Sequence, residues 1–274
     1  MFKIIIMALL IFIGMVGYDN ITDKAQPTTP VQQEQQKVSK HEKSAAMALF
    51  TSLLPPKEEW PSPVHKFYLA FNMDEVIDPV RQNPNWTSLD AMSRDIPQAL
   101  IAIEDHGFYN HGAIAVEGIL RAALANINAG EVVQGGSTLT QQFVKNVFLS
   151  HEQSMERKIE EAVLSLMLED NYSKDEILEL YLNTTYFGAG STGIKQASRT
   201  YFGKAPSALT LAEAAVIASL PYAPTSLNPL ENPEGCKKRQ LLVLAAMHKY
   251  GMINQGQLAE AKAEKIRLTN GTVM

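Results

Sequence analysis

Glu104-Asp105-His106-Gly107-Phe108-Tyr109-Asn110-His111 follows directly on the apolar run Leu100-Ile101-Ala102-Ile103, and its reading decides the fold of this chain. It is the first of four polar blocks between Glu104 and Lys204. The others are Gly135-Gly136-Ser137-Thr138-Leu139-Thr140-Gln141-Gln142, Arg157-Lys158-Ile159-Glu160-Glu161, and Ile177-Leu178-Glu179-Leu180-Tyr181-Leu182-Asn183. The sequence around them reads as buried helix. Charge among apolar helices is costly, so its presence there asks for a reason.

Helical spacing surrounds the blocks. Apolar positions predict helices over Pro97–Ile103, Ile114–Ile127, Thr138–Phe148, Met155–Leu168, Lys174–Leu182, Leu209–Ser219 and Lys237–Tyr250. Strand signals are few and no internal repeat is present, so an all-α domain is expected. Residues Phe67 to Val76 read as extended, and Pro79, Pro84, Trp86 and Ser88 as a loop into the domain.

Each block offers chemistry beside a plainer reading. In the first, Glu104 and Asp105 stand at the end of an apolar helix, where partial desolvation suits a carboxylate to general-base work. His106 and His111 lack the spacing of a metal site and read as structural hydrogen-bonders. Phe108 and Tyr109 read as core. In the second, Gly135-Gly136 form a loop and Ser137 reads as a helix N-cap. Thr138, Gln141 and Lys145 then share one face at i, i+3 and i+7. Helix N-termini favour anions, so this is a phosphate cradle or an ordinary turn. In the third, Arg157 and Glu161 lie four residues apart on a helix that is apolar nearly all round. They read equally as a buried ion pair or, with Lys158, as the wall of a cleft for a charged ligand. The fourth block alone is an amphipathic helix ending at Asn183.

The bulk numbers narrow the class. A net charge of −5 lacks the basic face of a nucleic-acid binder, so no nucleic-acid partner is expected. The single cysteine, Cys236, excludes an intrachain disulfide and a multi-cysteine zinc site, and reads as buried filler. Met1-Phe2-Lys3 followed by an apolar run to Tyr18 has the layout of an export signal. The expectation for residues 1–18 is a signal anchor or signal peptide, with the remaining chain outside the cytoplasm. Residues 19–66 read as a polar stalk carrying a short helix around Met47–Leu54, ended by Pro55-Pro56. The main domain is placed at 67–270.

Taken in order, the blocks closely resemble the peptidoglycan glycosyltransferases, glycosyltransferase family 51. These are found as monofunctional enzymes and as the first domain of class A penicillin-binding proteins. The resemblance covers about residues 88–247. It is carried by Glu-Asp-x2-Phe-x2-His at 104–111, Gly-Gly-Ser-Thr-x-Thr-Gln-Gln-x2-Lys-Asn at 135–146, Arg-Lys-x2-Glu at 157–161 and Ile-Leu-Glu-x-Tyr-Leu-Asn at 177–183. Tyr186-Phe187-Gly188, Tyr201-Phe202-Gly203-Lys204 and Leu209–Ala215 add to it.

The resemblance implies a lysozyme-like, two-lobed α fold that polymerises lipid II into β-1,4-linked glycan strands. Glu104 is then the general base of an inverting displacement that releases undecaprenyl pyrophosphate. Glu161 is the second carboxylate, near the pyrophosphate with a divalent cation (Mg²⁺ or Mn²⁺) or with cationic side chains. Lys145, Arg157 and Lys158 neutralise phosphate. Ser137, Thr138, Gln141 and Gln142 supply hydrogen bonds, and Asp105, Phe108, His111 and Asn146 complete the implied substrate set. Helix Ile114–Ile127 would help a small lobe dip into the bilayer. No ordered Ser-x2-Lys, Ser-x-Asn and Lys-Thr-Gly set is present, so a monofunctional enzyme working beside a separate transpeptidase is expected. The implied partners are lipid II, the growing strand, the membrane and other wall-synthesis proteins. The implied location is the outer face of a bacterial cytoplasmic membrane. The chain departs from the family pattern at Gln153, where an arginine is usual, at Ala115, where Asp or Asn is usual, and at Gly107, where a basic residue is common. These departures motivate a second reading, a weakened homologue that binds lipid II as a scaffold. A third reading, a lytic hydrolase, rests on fold analogy alone.

Overall fold

The computed structural model describes residues 68–69, 72–129, 135–149 and 154–274. The chain divides into two compact units, residues 1–68 and 69–274, and the second holds all four polar blocks. The expected anchor, stalk and short helix before residue 67 lie outside the described residues, as does Gln153. Among the described residues no helix is long and apolar enough to cross a membrane.

The described residues form ten α-helices. They are α1 (Asp74–Arg81), α2 (Asp95–Glu104), α3 (Val116–Ala129), α4 (Leu139–Phe148), α5 (Met155–Asn171), α6 (Lys174–Thr184), α7 (Ile194–Phe202), α8 (Leu211–Ser219), α9 (Pro233–Lys249) and α10 (Gln255–Ala263). Extended pairing among the described residues is limited to two isolated bridges, Tyr186 with Thr192 and Arg267 with Val273. The all-α expectation holds.

The core has a hub. Every residue of α8 from Ala212 to Ser219 is buried, and four of them are alanine. Small side chains let two helices approach closely, and α2 and α9 pack on α8 and on each other. Helix α2 buries Ile96, Ala99, Leu100 and Ile101. Helix α9 buries Cys236, Gln240, Val243, Leu244 and Met247, one stripe at helical spacing. Gln240 donates to the Ala212 carbonyl at 2.8 Å and joins α9 to the hub. A second group forms where α4 packs on α5 and α6.

Start signals are written into the sequence. Thr138 with Gln141, Ser173 with Glu176, Thr210 with Glu213 and Asn254 with Gln257 close reciprocal capping boxes on α4, α6, α8 and α10. The N-cap of α4 is therefore Thr138, not Ser137. Thr138 has the extended backbone of a cap and accepts from the Gln141 N–H, which releases the Ser137 side chain.

Three readings of the local sequence need correction. Residues 74–76 are helical, not extended. Helix α1 contains Pro79, carries Asp74 and Glu75 in its first turn and Arg81 in its last, and buries Ile77. Those charges complement the helix dipole, and the proline masks the pattern. Helix α7 escapes the sequence reading although it buries Ile194, Tyr201 and Phe202, because these stand at its two ends with only Ala197 and Ser198 buried between them. It begins after Gly193 (φ +84°) and stops at left-handed Gly203 (φ +66°). Helix α10 buries only Leu258 and Ala261, too little apolar signal to read.

Candidate active site

Glu104 is the last residue of α2 and is half-buried. Gln142 of α4 donates its amide N–H to Glu104 Oε2 at 3.0 Å. The other end of that amide accepts from the Tyr181 hydroxyl of α6 at 3.0 Å. A carboxylate with one oxygen held and partial solvent access is a workable proton acceptor.

Asp105 follows and is buried. One oxygen faces His111 Nε2 at 2.6 Å, and the other accepts the N–H of Leu139, the first residue of α4, at 3.0 Å. Asp105 thus joins the end of α2, the loop carrying His111 and the start of α4. The Thr138 hydroxyl donates to the Ala113 carbonyl at 2.7 Å and adds a second tie to that loop. Phe108 is fully buried beneath Lys174, whose ammonium lies 4.5 Å from the ring centre.

The third block supplies the charge. Glu161 of α5 is 1% exposed, with Lys158 on one oxygen and Arg157 at 3.4 Å from the other. Lys158 also donates to the Ser137 hydroxyl at 3.2 Å, which ties α5 to the glycine loop. Arg157 Nε is buried and has no hydrogen-bond partner. A buried cationic donor without an acceptor is costly unless a ligand satisfies it. Lys145 and Asn146 are exposed near the end of α4, and among the described residues neither has a hydrogen-bond or ion-pair partner.

The glycines before Ser137 have a packing reason. A Cβ on Gly136 would stand 3.0 Å from the Ile119 Cα of α3, so the loop lies directly on that helix. Helix α3 turns Val116, Ile119, Leu120 and Ile127 outward, Ile127 at 75% exposure, and α5 adds exposed Ile159.

The structure therefore sorts the sequence-predicted residues. It links Glu104 to Gln142, and Ser137 to Lys158 and, through Glu161, to Arg157. It commits Thr138 and Gln141 to the capping box, Asp105 and His111 to each other, and Phe108 to the core. A divalent cation requires several oxygen ligands. Both oxygens of Glu161 already face cations, and among the described residues no three His, Cys, Asp or Glu side chains group to hold a metal. Glu161 as arranged does not fit the ion suggested for it.

Sequence reasoning misses the work of the fourth block. Glu179 accepts from the Trp86 indole at 3.1 Å and the Leu89 N–H at 2.9 Å. Asn183 exchanges two 2.8 Å bonds with the backbone of Thr87. These clamp the segment before α2 onto α6. Tyr181, between them, reaches Gln142 and so Glu104. Its place one turn from Leu178 on a buried stripe gives no sign of this.

Comparison with known proteins agrees with the arrangement. The sequence pattern of the transglycosylase family matches residues 72–248. A Cupriavidus necator protein bearing a provisional transglycosylase name is 42% identical over 188 residues, 69% of this chain and 81% of its own length. Penicillin-binding protein 1A of Aquifex aeolicus is 44% identical over 176 residues, covering 64% of this chain and 24% of the relative. Penicillin-binding protein 2D of Bacillus subtilis is 44% identical over 181 residues, 66% of this chain and 26% of the relative. The chain thus spans about a quarter of these penicillin-binding proteins. The four blocks, their assembly around Glu104 and Glu161, and these similarities place the chain in the transglycosylase family of glycosyltransferase family 51, the peptidoglycan glycosyltransferase enzymes of bacterial cell-wall synthesis.

Proposed function

We propose that this protein polymerises lipid II into β-1,4-linked glycan strands, and that Glu104 is its general base. The observation that carries the reading is the pairing of functions across α4. The Glu104 carboxylate is held by Gln142, while Lys158 and Arg157 gather with Ser137 beside the N-terminal end of the same helix.

Glu104 takes the proton from the 4-hydroxyl of the acceptor GlcNAc as that oxygen attacks C1 of the donor sugar. The C1–oxygen bond to pyrophosphate breaks, and its electron pair leaves with undecaprenyl pyrophosphate. Inversion at C1 turns the α-linked donor into a β-linked product in one step, without a covalent intermediate. Charge accumulates on the leaving pyrophosphate, where cationic donors count most. Lys158 and the unpartnered Nε of Arg157 are suited to it, with Lys145 as a further cation. Glu161 keeps the two α5 cations in place. On this reading the fold is lysozyme-like and two-lobed. Its exposed α3 residues enter the outer leaflet of the cytoplasmic membrane, where the lipid-linked substrate resides, and a transpeptidase crosslinks the product.

Product analysis with labelled lipid II tests this. Polymer supports the transferase. Bound but unpolymerised lipid II indicates a scaffold, and cleavage of preformed glycan indicates a hydrolase.

A further inference from the structure

Resting on that reading, we propose that Tyr181 is a positioning residue for Glu104 and acts through Gln142. Tyr181 is 1% exposed, and its hydroxyl donates to Gln142 Oε1 at 3.0 Å. Gln142 Nε2 donates to Glu104 Oε2 at 3.0 Å. The order of donors in this chain is set by charge. An ionised carboxylate can only accept, so the amide must present its N–H to Glu104. Its oxygen then faces Tyr181, which must donate. Burial, and then the nearby charge of Glu104, push the Tyr181 phenol well above its usual range, so the proton it donates is retained.

Removing the hydroxyl takes away what orients the amide. Gln142 Oε1 loses its donor, so the amide is anchored at one end only and its N–H is free to swing off the Glu104 oxygen. The base then loses the bond that holds it for attack. Gln142 becomes a link to the base rather than a direct hydrogen-bond partner of the substrate. Helix α6 thereby sets the geometry of proton transfer.

The test is steady-state polymerisation of labelled lipid II by the full chain, comparing wild type, Tyr181→Phe, Gln142→Leu and the double variant, with thermal melts of each. The expected result is a kcat lowered about tenfold in Tyr181→Phe, a fraction of the general-base contribution, with KM within about twofold. Gln142→Leu shows a similar loss, and the double variant is no slower than Gln142→Leu alone. An unchanged kcat in Tyr181→Phe, losses that multiply in the double variant, or losses that track the melting temperature would overturn the proposal. If wild type makes no polymer, the functional reading fails, and the relay is judged by NMR. In ¹⁵N-glutamine-labelled protein the Gln142 side-chain protons are assigned by their absence in Gln142→Leu. Protection from exchange that is lost in Tyr181→Phe supports the relay, and unchanged protection refutes it.

Discussion

His111 Nε2 stands 2.6 Å from Asp105 Oδ1, and its other ring nitrogen stands 2.6 Å from the Gly112 carbonyl oxygen. Both ring nitrogens face acceptors, and only the imidazolium donates to both. The His111 pKa is accordingly raised, first by the bond to Asp105 and then by the Gly112 carbonyl, against burial and Lys174. A pKa raised on folding gives stability that is fully present below the unfolded value of about 6.5. It is lost as pH climbs through the folded value. Denaturant unfolding of wild type and His111→Gln should differ by about 1 kcal/mol more below that window than above it. A constant difference across pH would contradict the charged pair.

Gly136 is required by its neighbour. The Cβ of Gly136→Ala would meet the Ile119 backbone at 3.0 Å, and a helix backbone cannot step aside as a side chain can. We expect a loss of about 1–3 kcal/mol, the usual range for overpacking. Gly135→Ala, whose Cβ would meet nothing within 4 Å, should be close to neutral. Melting curves of the two variants check the contrast.

Glu161 holds two cations from a buried position. Glu161→Gln leaves Arg157 largely buried without its counter-charge and should cost about 3 kcal/mol. Lys158→Ala removes a more exposed partner and should leave the fold nearly intact while weakening turnover. Chemical denaturation beside activity separates the two effects. Equal stability in both variants would argue against Glu161 as the anchor.

The outward apolar face of α3 can be read directly. Cys236 is the only cysteine in the chain, is buried, and has its thiol pushed up to about 11 by burial. A cysteine placed by Ile127→Cys therefore labels selectively with a polarity-sensitive dye. Its emission should shift to the blue on adding anionic phospholipid vesicles, while a label at exposed Leu242→Cys on α9 should not respond. No shift at either position would contradict membrane contact by α3.

Periodicity makes most of the fold legible. Helices α2 to α6, α8 and α9 announce themselves through apolar spacing, while the capping residue of α4 is misplaced by one, at Ser137 instead of Thr138. Helix α7 does not, because its large buried residues, Ile194 and the Tyr201-Phe202 pair, stand at its two ends and only Ala197 and Ser198 are buried between them. The candidate site is legible in part. Glu104, Arg157, Lys158 and Glu161 stand out as charge in apolar surroundings. The role of Thr138 and Gln141 as a closed cap, and the place of Tyr181 behind Gln142, depend on contacts 3 to 39 residues apart. Spacing along one helix shows which residues share a face, not which of them spend their polar atoms on one another.

The most direct test is polymerisation of labelled lipid II by purified wild type and Glu104→Gln, with binding of lipid II measured on the same preparations. A general base at Glu104 predicts long glycan from wild type, at least about a hundredfold less from Glu104→Gln, and lipid II binding retained in both. Polymer formed equally by both proteins would contradict the assignment of Glu104 as the base.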